Sequence, residues 1–223
     1  MSGTEIDGTQ ACACSLEQHL RAALEENRSL RAANEQMAKA LDEITRKHIR
    51  VQHMAHHDGL TGLPNRQMLM QRLQDGIAES FAHQRLLALM FIDIDGFKVV
   101  NDRHGHSAGD KLLAMLATRI ASAVRAGDLA CRYGGDEFVV ILSDISEAAV
   151  AIRVAEDIRK HVDGRYSIDG QELQISASIG YALYPTDGDQ WDSLLSSADA
   201  SMYRDKNRQM SRRQQHGTNG TPL

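Results

Sequence analysis

Near the start of the chain, positions that are mostly apolar recur in alternating steps of four and three residues and form a seam. This seam contains no Gly or Pro and consists of Leu16, Leu20, Ala23, Asn27, Leu30, Asn34, Met37, Leu41, Ile44, His48 and Val51. A period of 3.5 residues over about five heptads predicts a coiled coil, which we place at residues 15–56. Asn27 and Asn34 hold equivalent seam positions and favour two parallel strands. The alternative is one amphipathic helix folded back onto the rest of the chain.

After this helix the pattern changes to buried strands and amphipathic helices. Two Gly and a Pro in Asp58–Pro64 end the first helix. Residues 86–92 are continuously apolar, which indicates a strand buried on both faces. The remaining patterns predict helices at 65–79, 107–124, 148–162 and 191–208, a hairpin over 129–142, and a strand at 173–183 broken by Gly180. This order predicts an α/β domain at residues 57–212, with helices on the faces of its sheet.

The predicted hairpin carries two adjacent acids, Asp136 and Glu137, directly after Gly134-Gly135. Two glycines between strands favour a tight turn whose central residues have positive φ. Carboxylates at the rim of a buried sheet are costly unless a cation or a partner neutralises them. A simple polar turn is the alternative interpretation of this segment taken alone.

A second pair of acids follows the buried strand, in Asp93-Ile94-Asp95. Oxygen ligands at a strand end next to the hairpin acids are typical of Mg²⁺ sites, where waters and phosphate oxygens complete the shell. Lys98 and Lys206 offer positive charge for a phosphate group. We expect Asp93 to bind the metal, whereas Asp95 is as well explained by a capping or turn role.

The bulk composition limits the possible functions. With 25 basic and 30 acidic residues the net charge is −5, which argues against a nucleic-acid partner. We find no apolar run of the roughly 18 residues that a membrane span needs and no secretory signal. The three cysteines lack disulfide or zinc spacing, so we expect a reducing, cytoplasmic location. Residues 1–14, with Cys12 and Cys14, and residues 213–223 are predicted to be a disordered leader and tail; a soft-metal pair is the alternative for the two cysteines.

Five ordered motifs lie between about residues 54 and 210. They are Asp58-Gly59-Leu60-Thr61-Gly62-Leu63-Pro64-Asn65-Arg66, Asp93-Ile94-Asp95-Gly96-Phe97-Lys98-Val99-Val100-Asn101-Asp102, Gly105-His106-Ser107-Ala108-Gly109-Asp110, Gly134-Gly135-Asp136-Glu137-Phe138 and Ser178-Ile179-Gly180-Tyr181-Ala182. Together these motifs resemble those of the GGDEF-domain diguanylate cyclases. The resemblance implies a palm-like fold with a central, mainly antiparallel sheet flanked by helices. It also implies the conversion of two GTP into cyclic di-GMP and two pyrophosphates.

The resemblance also assigns roles to residues at matching positions. Asp93, the carbonyl of Ile94, and Asp136 would hold Mg²⁺, or alternatively Mn²⁺, and Glu137 would be a further ligand or help to deprotonate the attacking 3′-hydroxyl. Asp136 and Glu137 are thus the expected catalytic residues. The expected substrate-binding residues are Phe97, Lys98, Asn101, His106, Asp110 and Lys206, with Asn101 and Asp110 on the guanine edge. An acceptor such as Asp110 would be left unpaired by adenine, which favours GTP over ATP.

Regulation is expected at two places. Members of this family carry one GTP per domain, so a stalk-mediated homodimer would bring two sites together, and a regulatory protein could act on the stalk. Arg125 and Asp128 match the spacing of the family's product-inhibition site for cyclic di-GMP; a surface ion pair is the alternative.

In the last helix, Met210 stands where the family usually has an arginine, which puts triphosphate affinity in doubt.

Two other classes of function remain open from the sequence. A catalytically silent effector could bind cyclic di-GMP through Arg125 and Asp128, and incubation with GTP and Mg²⁺ would distinguish it from an enzyme. A scaffolding dimer with a vestigial domain is disfavoured because Asp93, Asn101 and Asp110 are all present.

Overall fold

The computed structural model describes residues 5–217, with side chains described for residues 16–212. The chain divides into two compact units between His53 and Met54. Within the described residues, no helix is both long and apolar enough to cross a membrane.

The described part of the first unit, residues 5–53, belongs to helix α1, Glu5–His56. The helix begins earlier than predicted and takes in residues 5–14, which the sequence analysis assigned to a disordered leader; good helix formers such as Ala11 and Ala13 extend the helix beyond Ser15. Residues 1–4 lie outside the described part. Apolar seam residues are exposed along the single helix, including Leu16, Leu20, Leu30, Met37, Leu41, Ile44 and Val51. The coiled coil stays a prediction.

The second unit contains helices on both faces of a four-stranded sheet. Its elements are α2 (Arg66–His83), β1 (Leu86–Ile94), α3 (Phe97–His104), α4 (His106–Ser122), β2 (Leu129–Gly134), β3 (Glu137–Ile145), α5 (Ala148–Val162), β4 (Gly164–Ile168), β5 (Gln171–Ile175), β6 (Ala177–Tyr184) and α6 (Trp191–Gly217). The sheet order is β2-β3-β1-β6 and every neighbouring pair is antiparallel. The predicted α/β architecture with a mainly antiparallel sheet is confirmed.

Two apolar clusters hold this unit together, one on each face of the sheet. Leu112 and Ile120 of α4 and Ile158 of α5 are fully buried on one face. Leu69 of α2 and Leu194 of α6 are fully buried on the other. β1 contributes to both clusters because successive side chains of a strand point to opposite faces, which explains its uninterrupted apolar sequence.

Several predicted elements differ from the structure. The strand expected at 173–183 is two strands, β5 and β6, and the break falls at Ser176 instead of Gly180. Gly180 lies inside β6, where a Cβ would come within 1.9 Å of the Met202 backbone nitrogen, so the glycine permits close packing of α6. Helix α3 and strand β4 were not predicted from the sequence. The last helix continues past residues 208 and 212 to Gly217, because no Gly or Pro interrupts it earlier; residues 218–223 lie outside the described part.

Candidate active site

Strand pairing brings the predicted metal-binding acids Asp93, Asp136 and Glu137 together at one end of the central strands β1 and β3. We call this group of acids the acidic edge. Asp93, near the end of β1, lies opposite Glu137, the first residue of β3, and opposite Ser178 of β6. Asp136 immediately precedes Glu137 in the turn between β2 and β3. Antiparallel pairing thus joins two acidic segments that are more than forty residues apart in sequence.

The hairpin turn is shifted by one residue from its predicted position. Gly134 belongs to β2 and pairs with Glu137, so the two central residues are Gly135 and Asp136 instead of the two glycines. Only Gly135 of these has a positive φ, 53°. The register shifts between Arg132 and Gly134, and this irregularity in the ladder accounts for the difference.

The acidic edge carries excess negative charge, opposed by Lys206 and Arg132. Lys206 Nζ donates a hydrogen bond to Asp93 Oδ2 at 2.5 Å, and the Asp93 side chain is only 13% exposed. Burial and the charge of Asp93 raise the pKa of Asp136. Burial, Asp93, Asp136 and Asp199 all raise the pKa of Glu137. Burial lowers the pKa of Lys206, but the hydrogen bond and charge of Asp93 outweigh it and the net direction is upward.

A divalent cation would relieve this repulsion, and the available donors fit Mg²⁺. Among residues 16–212, no three His, Cys, Asp or Glu side chains form a ready-made metal cluster. Mg²⁺ does not require one, since it is usually bound by one or two carboxylates, with waters and substrate phosphates as its other ligands. Asp93, Asp136, Glu137 and the Ile94 carbonyl are the oxygen donors at this edge.

Asp95 has a structural role. Its two carboxylate oxygens accept hydrogen bonds from Ser176 Oγ at 2.6 Å and Ser178 Oγ at 2.7 Å. Its backbone N–H donates to the Ser176 carbonyl at 2.9 Å. These contacts fasten the end of β1 to the start of β6, which gives Asp95 a structural role across the two strands.

The predicted guanine-binding residues gather where α3 meets α4. Asn101 and Phe97 on α3 both lie against Gly109 of α4: a Cβ at Gly109 would meet Asn101 Oδ1 at 2.0 Å and Phe97 Cζ at 3.1 Å. Asp110 is the next residue and is exposed. Exposed Lys98 and His106 lie at the starts of the same two helices. The helix pair thus presents polar side chains to solvent, over the buried Val100 and Ala108.

The pair Arg125 and Asp128 lies away from the acidic edge. Arg125 Nε is 3.2 Å from Asp128 Oδ1, and Arg125 Nη2 donates to the Ser143 carbonyl at 2.5 Å. Ser143 is six residues along β3 from Glu137, or about 20 Å at the usual rise of a strand. Asp128 is 4% exposed and Arg125 is 60% exposed, so the arginine remains accessible from solvent.

Sequence reasoning missed a structural role for Arg132. Its Nη1 contacts both carboxylate oxygens of Asp58, at 3.0 and 3.2 Å. Its Nε and Nη2 donate to the Gly135 carbonyl at 3.0 and 2.8 Å. Arg132 therefore connects the loop after α1 to the turn that carries Asp136. The Asp58 to Arg66 motif was the available signal, but no spacing rule pairs these two residues.

Comparison with known proteins agrees with this geometry. The family model described as "Diguanylate cyclase, GGDEF domain" matches residues 55–212. The chain belongs to the GGDEF domain family. It is 44% identical over 177 residues to the bifunctional diguanylate cyclase/cyclic di-GMP phosphodiesterase MucR of Pseudomonas aeruginosa, covering 79% of this chain and 25% of MucR. The chain thus spans only a quarter of that relative's length.

Two similar solved structures contain more than a GGDEF domain: one includes a coiled coil, and the other includes a bound activator. The coiled coil and GGDEF domain of DgcB from Caulobacter crescentus, in complex with c-di-GMP, match with a TM-score of 0.73 and 29% identity, covering 80% of this chain and 95% of that one. Diguanylate cyclase SiaD of Pseudomonas aeruginosa, in complex with its activator SiaC, matches with a TM-score of 0.67 and 30% identity, covering 91% and 78%.

Proposed function

We propose that this GGDEF protein is a diguanylate cyclase that condenses two GTP into cyclic di-GMP with release of two pyrophosphates. The observation that carries the proposal is the pairing of Asp93 with Glu137, which brings the carboxylates of two separate motifs to one sheet edge beside Lys206. The family match over residues 55–212 supports the same activity.

The substrate would lie between the α3–α4 corner and the acidic edge. Asn101 and Asp110 read the guanine edge, with Phe97 and Asn101 both against Gly109 and His106 at the start of α4. Lys98 and Lys206 neutralise the triphosphate as point charges. Because Asp110 can accept hydrogen bonds from guanine N1–H and N2–H₂, it discriminates against adenine, which lacks that pattern.

The reaction joins the 3′-oxygen of one GTP to the α-phosphorus of the other. The bond from that phosphorus to the β-phosphate bridging oxygen breaks, pyrophosphate leaves, and the 3′-hydroxyl loses its proton. Mg²⁺, or alternatively Mn²⁺, held by Asp93, Asp136 and the Ile94 carbonyl would withdraw charge from the phosphate and acidify the hydroxyl. Glu137 is a further ligand or the proton acceptor, and its raised pKa suits the second role.

Two such domains must face each other to form both phosphodiester bonds. We propose that α1 forms a parallel homodimeric coiled coil that holds two domains at high effective concentration. The match to DgcB, solved with its coiled coil, supports this arrangement. A regulatory protein that binds α1 is part of the proposal, and the solved complex of SiaD with SiaC supports it by analogy.

Arg125 and Asp128 would form an inhibitory site for the product. The exposed Arg125 guanidinium offers a planar fork for guanine or phosphate, and Asp128 is an acceptor for guanine N–H groups. Arg125 contacts Ser143, which lies about 20 Å along β3 from Glu137, and this separation suits an inhibitory site apart from the substrate site.

The test is turnover of GTP with Mg²⁺ by wild type, Asp136→Asn and the control Asp157→Asn, followed by chromatography of the nucleotides. We expect cyclic di-GMP from wild type and from the control, whose aspartate forms an exposed pair with Lys160 on α5. Asp136→Asn should retain the fold and lose at least a hundredfold of the rate, because the proposed metal site loses one of its carboxylate ligands. A folded wild type that binds cyclic di-GMP but never consumes GTP would favour the effector alternative.

A further inference from the structure

The outer edge of β6 is bound by side chains where no strand pairs with it. β6 is the last strand of the four-stranded sheet, so its outward backbone groups need other partners. At Ala177 the N–H donates to Asp163 Oδ1 at 3.0 Å and the carbonyl accepts from Arg159 Nη1 at 2.9 Å. Two residues later, the Ile179 N–H donates to Asp205 Oδ2 at 3.1 Å.

Asp205 is the centre of this contact. Besides Ile179, its Oδ2 accepts hydrogen bonds from Arg159 Nη2 at 2.8 Å and from Gln209 Nε2 at 3.0 Å. Gln209 Nε2 also donates to the Ala177 carbonyl at 3.1 Å. Asp205 and Gln209 are four residues apart on α6 and share one face of it. We call Arg159, Asp205 and Gln209 the α6 clamp, since together they join α5, β6 and α6.

The α6 clamp lies next to the acidic edge. Lys206 directly follows Asp205, and its Nζ reaches Asp93 Oδ2. The β6 residues that the clamp holds are paired with the end of β1, since Ala177 lies opposite Ile94 and Ser178 opposite Asp93. The clamp thus holds both the helical turn that carries Lys206 and the strand that supports Asp93.

The charge state of Asp205 suits this contact. Burial raises its pKa, but the hydrogen bonds from Arg159, Ile179 and Gln209 outweigh burial and the net direction is downward. The Arg159 and Asp205 side chains are 32% and 21% exposed, so their ion pair is shielded in part from water. Charge-assisted hydrogen bonds of this kind are stronger than neutral ones.

We propose that Arg159, Asp205 and Gln209 are positioning residues that fix the Lys206 ammonium where the triphosphate binds. A lysine has a flexible four-carbon stem, and holding its backbone in place reduces the freedom lost when it binds phosphate. The inference rests on the proposed function, which gives Lys206 its phosphate. Gln209 stands where the family usually has glycine, so this contact is supplied by a side chain that glycine lacks.

The experiment is a double-mutant cycle between Asp205→Asn and Lys206→Ala, read out as binding of a non-cyclising GTP analogue and of GMP in Mg²⁺. We expect Asp205→Asn to weaken analogue binding roughly tenfold, as for one lost charge-assisted hydrogen bond, and GMP binding less than twofold. Because Asp205 acts through Lys206, adding Asp205→Asn to Lys206→Ala should weaken analogue binding no further. Asp157→Asn, on the exposed side of α5, should change neither.

A purely structural role for Asp205 predicts a different result. Equal losses for the analogue and GMP, or additive losses in the cycle, would overturn the proposal, as would unchanged binding in Asp205→Asn. If Asp205→Asn does not fold, Gln209→Gly, with the family's usual residue, replaces it in the cycle, and we expect about fivefold weaker analogue binding. A wild type that binds the analogue but makes no cyclic di-GMP contradicts the proposed function alone, while the binding cycle still decides the role of Asp205.

Discussion

At the scale of single residues, the proposed guanine-binding corner between α3 and α4 depends on the absence of a side chain at Gly109. Gly109 has no Cβ, and a methyl group there would overlap the Asn101 amide oxygen at 2.0 Å and press on Phe97. Gly109 therefore determines where Asn101 presents its hydrogen-bonding groups.

We predict that Gly109→Ala raises the KM for GTP about tenfold or more with a smaller change in unfolding free energy, because a displaced Asn101 loses its guanine contact. The matched control is Gly59→Ala, where nothing lies within 4 Å of the new Cβ. Steady-state kinetics and urea unfolding of both variants check this. A KM equal to that of wild type in Gly109→Ala would contradict the assignment of Asn101 to guanine.

Arg125 is the residue whose substitution tests the proposed inhibitory site. We predict that Arg125→Ala lowers sensitivity to added cyclic di-GMP at least tenfold, while initial turnover stays within threefold of wild type, since Arg125 contacts Ser143, which lies about 20 Å along β3 from Glu137. Inhibition curves with added product provide the measurement. The control Arg153→Ala, on α5, should leave inhibition unchanged.

At the scale of elements, the loop between α1 and α2 is fastened to the β2–β3 hairpin. Asp58 accepts hydrogen bonds from the Thr61 N–H at 2.8 Å and Thr61 Oγ1 at 2.7 Å, and pairs with Arg132. Arg132 in turn donates to the Gly135 carbonyl beside Asp136. Loss of the contact between Asp58 and Arg132 is therefore expected to lower the unfolding free energy and to loosen the turn that carries Asp136.

The same contact predicts a pH dependence. Burial raises the pKa of Asp58, but the hydrogen bonds from Thr61 and Arg132 outweigh it, so the folded-state pKa lies below 3.8. Its stabilising effect is therefore fully present above that ordinary value and is lost as pH falls through the folded-state pKa. Asp58→Asn should lower the unfolding free energy by about 1–2 kcal/mol at pH 7, and the difference from wild type should shrink toward pH 3.

Urea unfolding at the two pH values measures this effect. Asp157→Asn is the control, because its exposed ion pair with Lys160 contributes little, and it should change the unfolding free energy by less than about 0.5 kcal/mol. A constant difference between wild type and Asp58→Asn across the whole pH range would contradict the lowered pKa.

At the scale of the whole molecule, the proposed reaction needs two copies of the chain. The seam residue Leu41 and the off-seam residue Ile49 are about equally exposed in one helix, at 64% and 60%. A parallel coiled coil would bury only the first of them. Replacing each of these two residues by Asp therefore distinguishes dimerisation through the seam from a general effect of an added charge on α1.

We predict that Leu41→Asp converts a dimer into a monomer at low micromolar concentration and removes most turnover, whereas Ile49→Asp does neither. Light scattering after size exclusion, together with the turnover assay, measures both effects. A fragment of residues 54–223, cut at the boundary between the two units, should behave like Leu41→Asp and regain turnover when fused to a foreign parallel coiled coil. Equal turnover with and without α1 would contradict the dimer requirement.

The sequence alone determined which family the chain belongs to and where its strongly periodic helices and strands lie. The helix at 148–162 and the strand starting at 86 were predicted correctly, because apolar spacing reports which face of an element is buried. Short elements were missed: eight-residue α3 and five-residue β4 carry too few apolar positions to set a period. Motif order identified the acidic residues and their family, since these residue types and spacings are local properties of the chain.

Only the tertiary structure decided which distant side chains meet. Register placed Asp93 opposite Glu137 and moved the turn onto Gly135 and Asp136. The contact between Arg159 and Asp205 spans 46 residues and depends on α5 and α6 lying against the same edge of β6. No periodicity contains such information, because a hydrogen bond between elements depends on the angles and distances at which they pack.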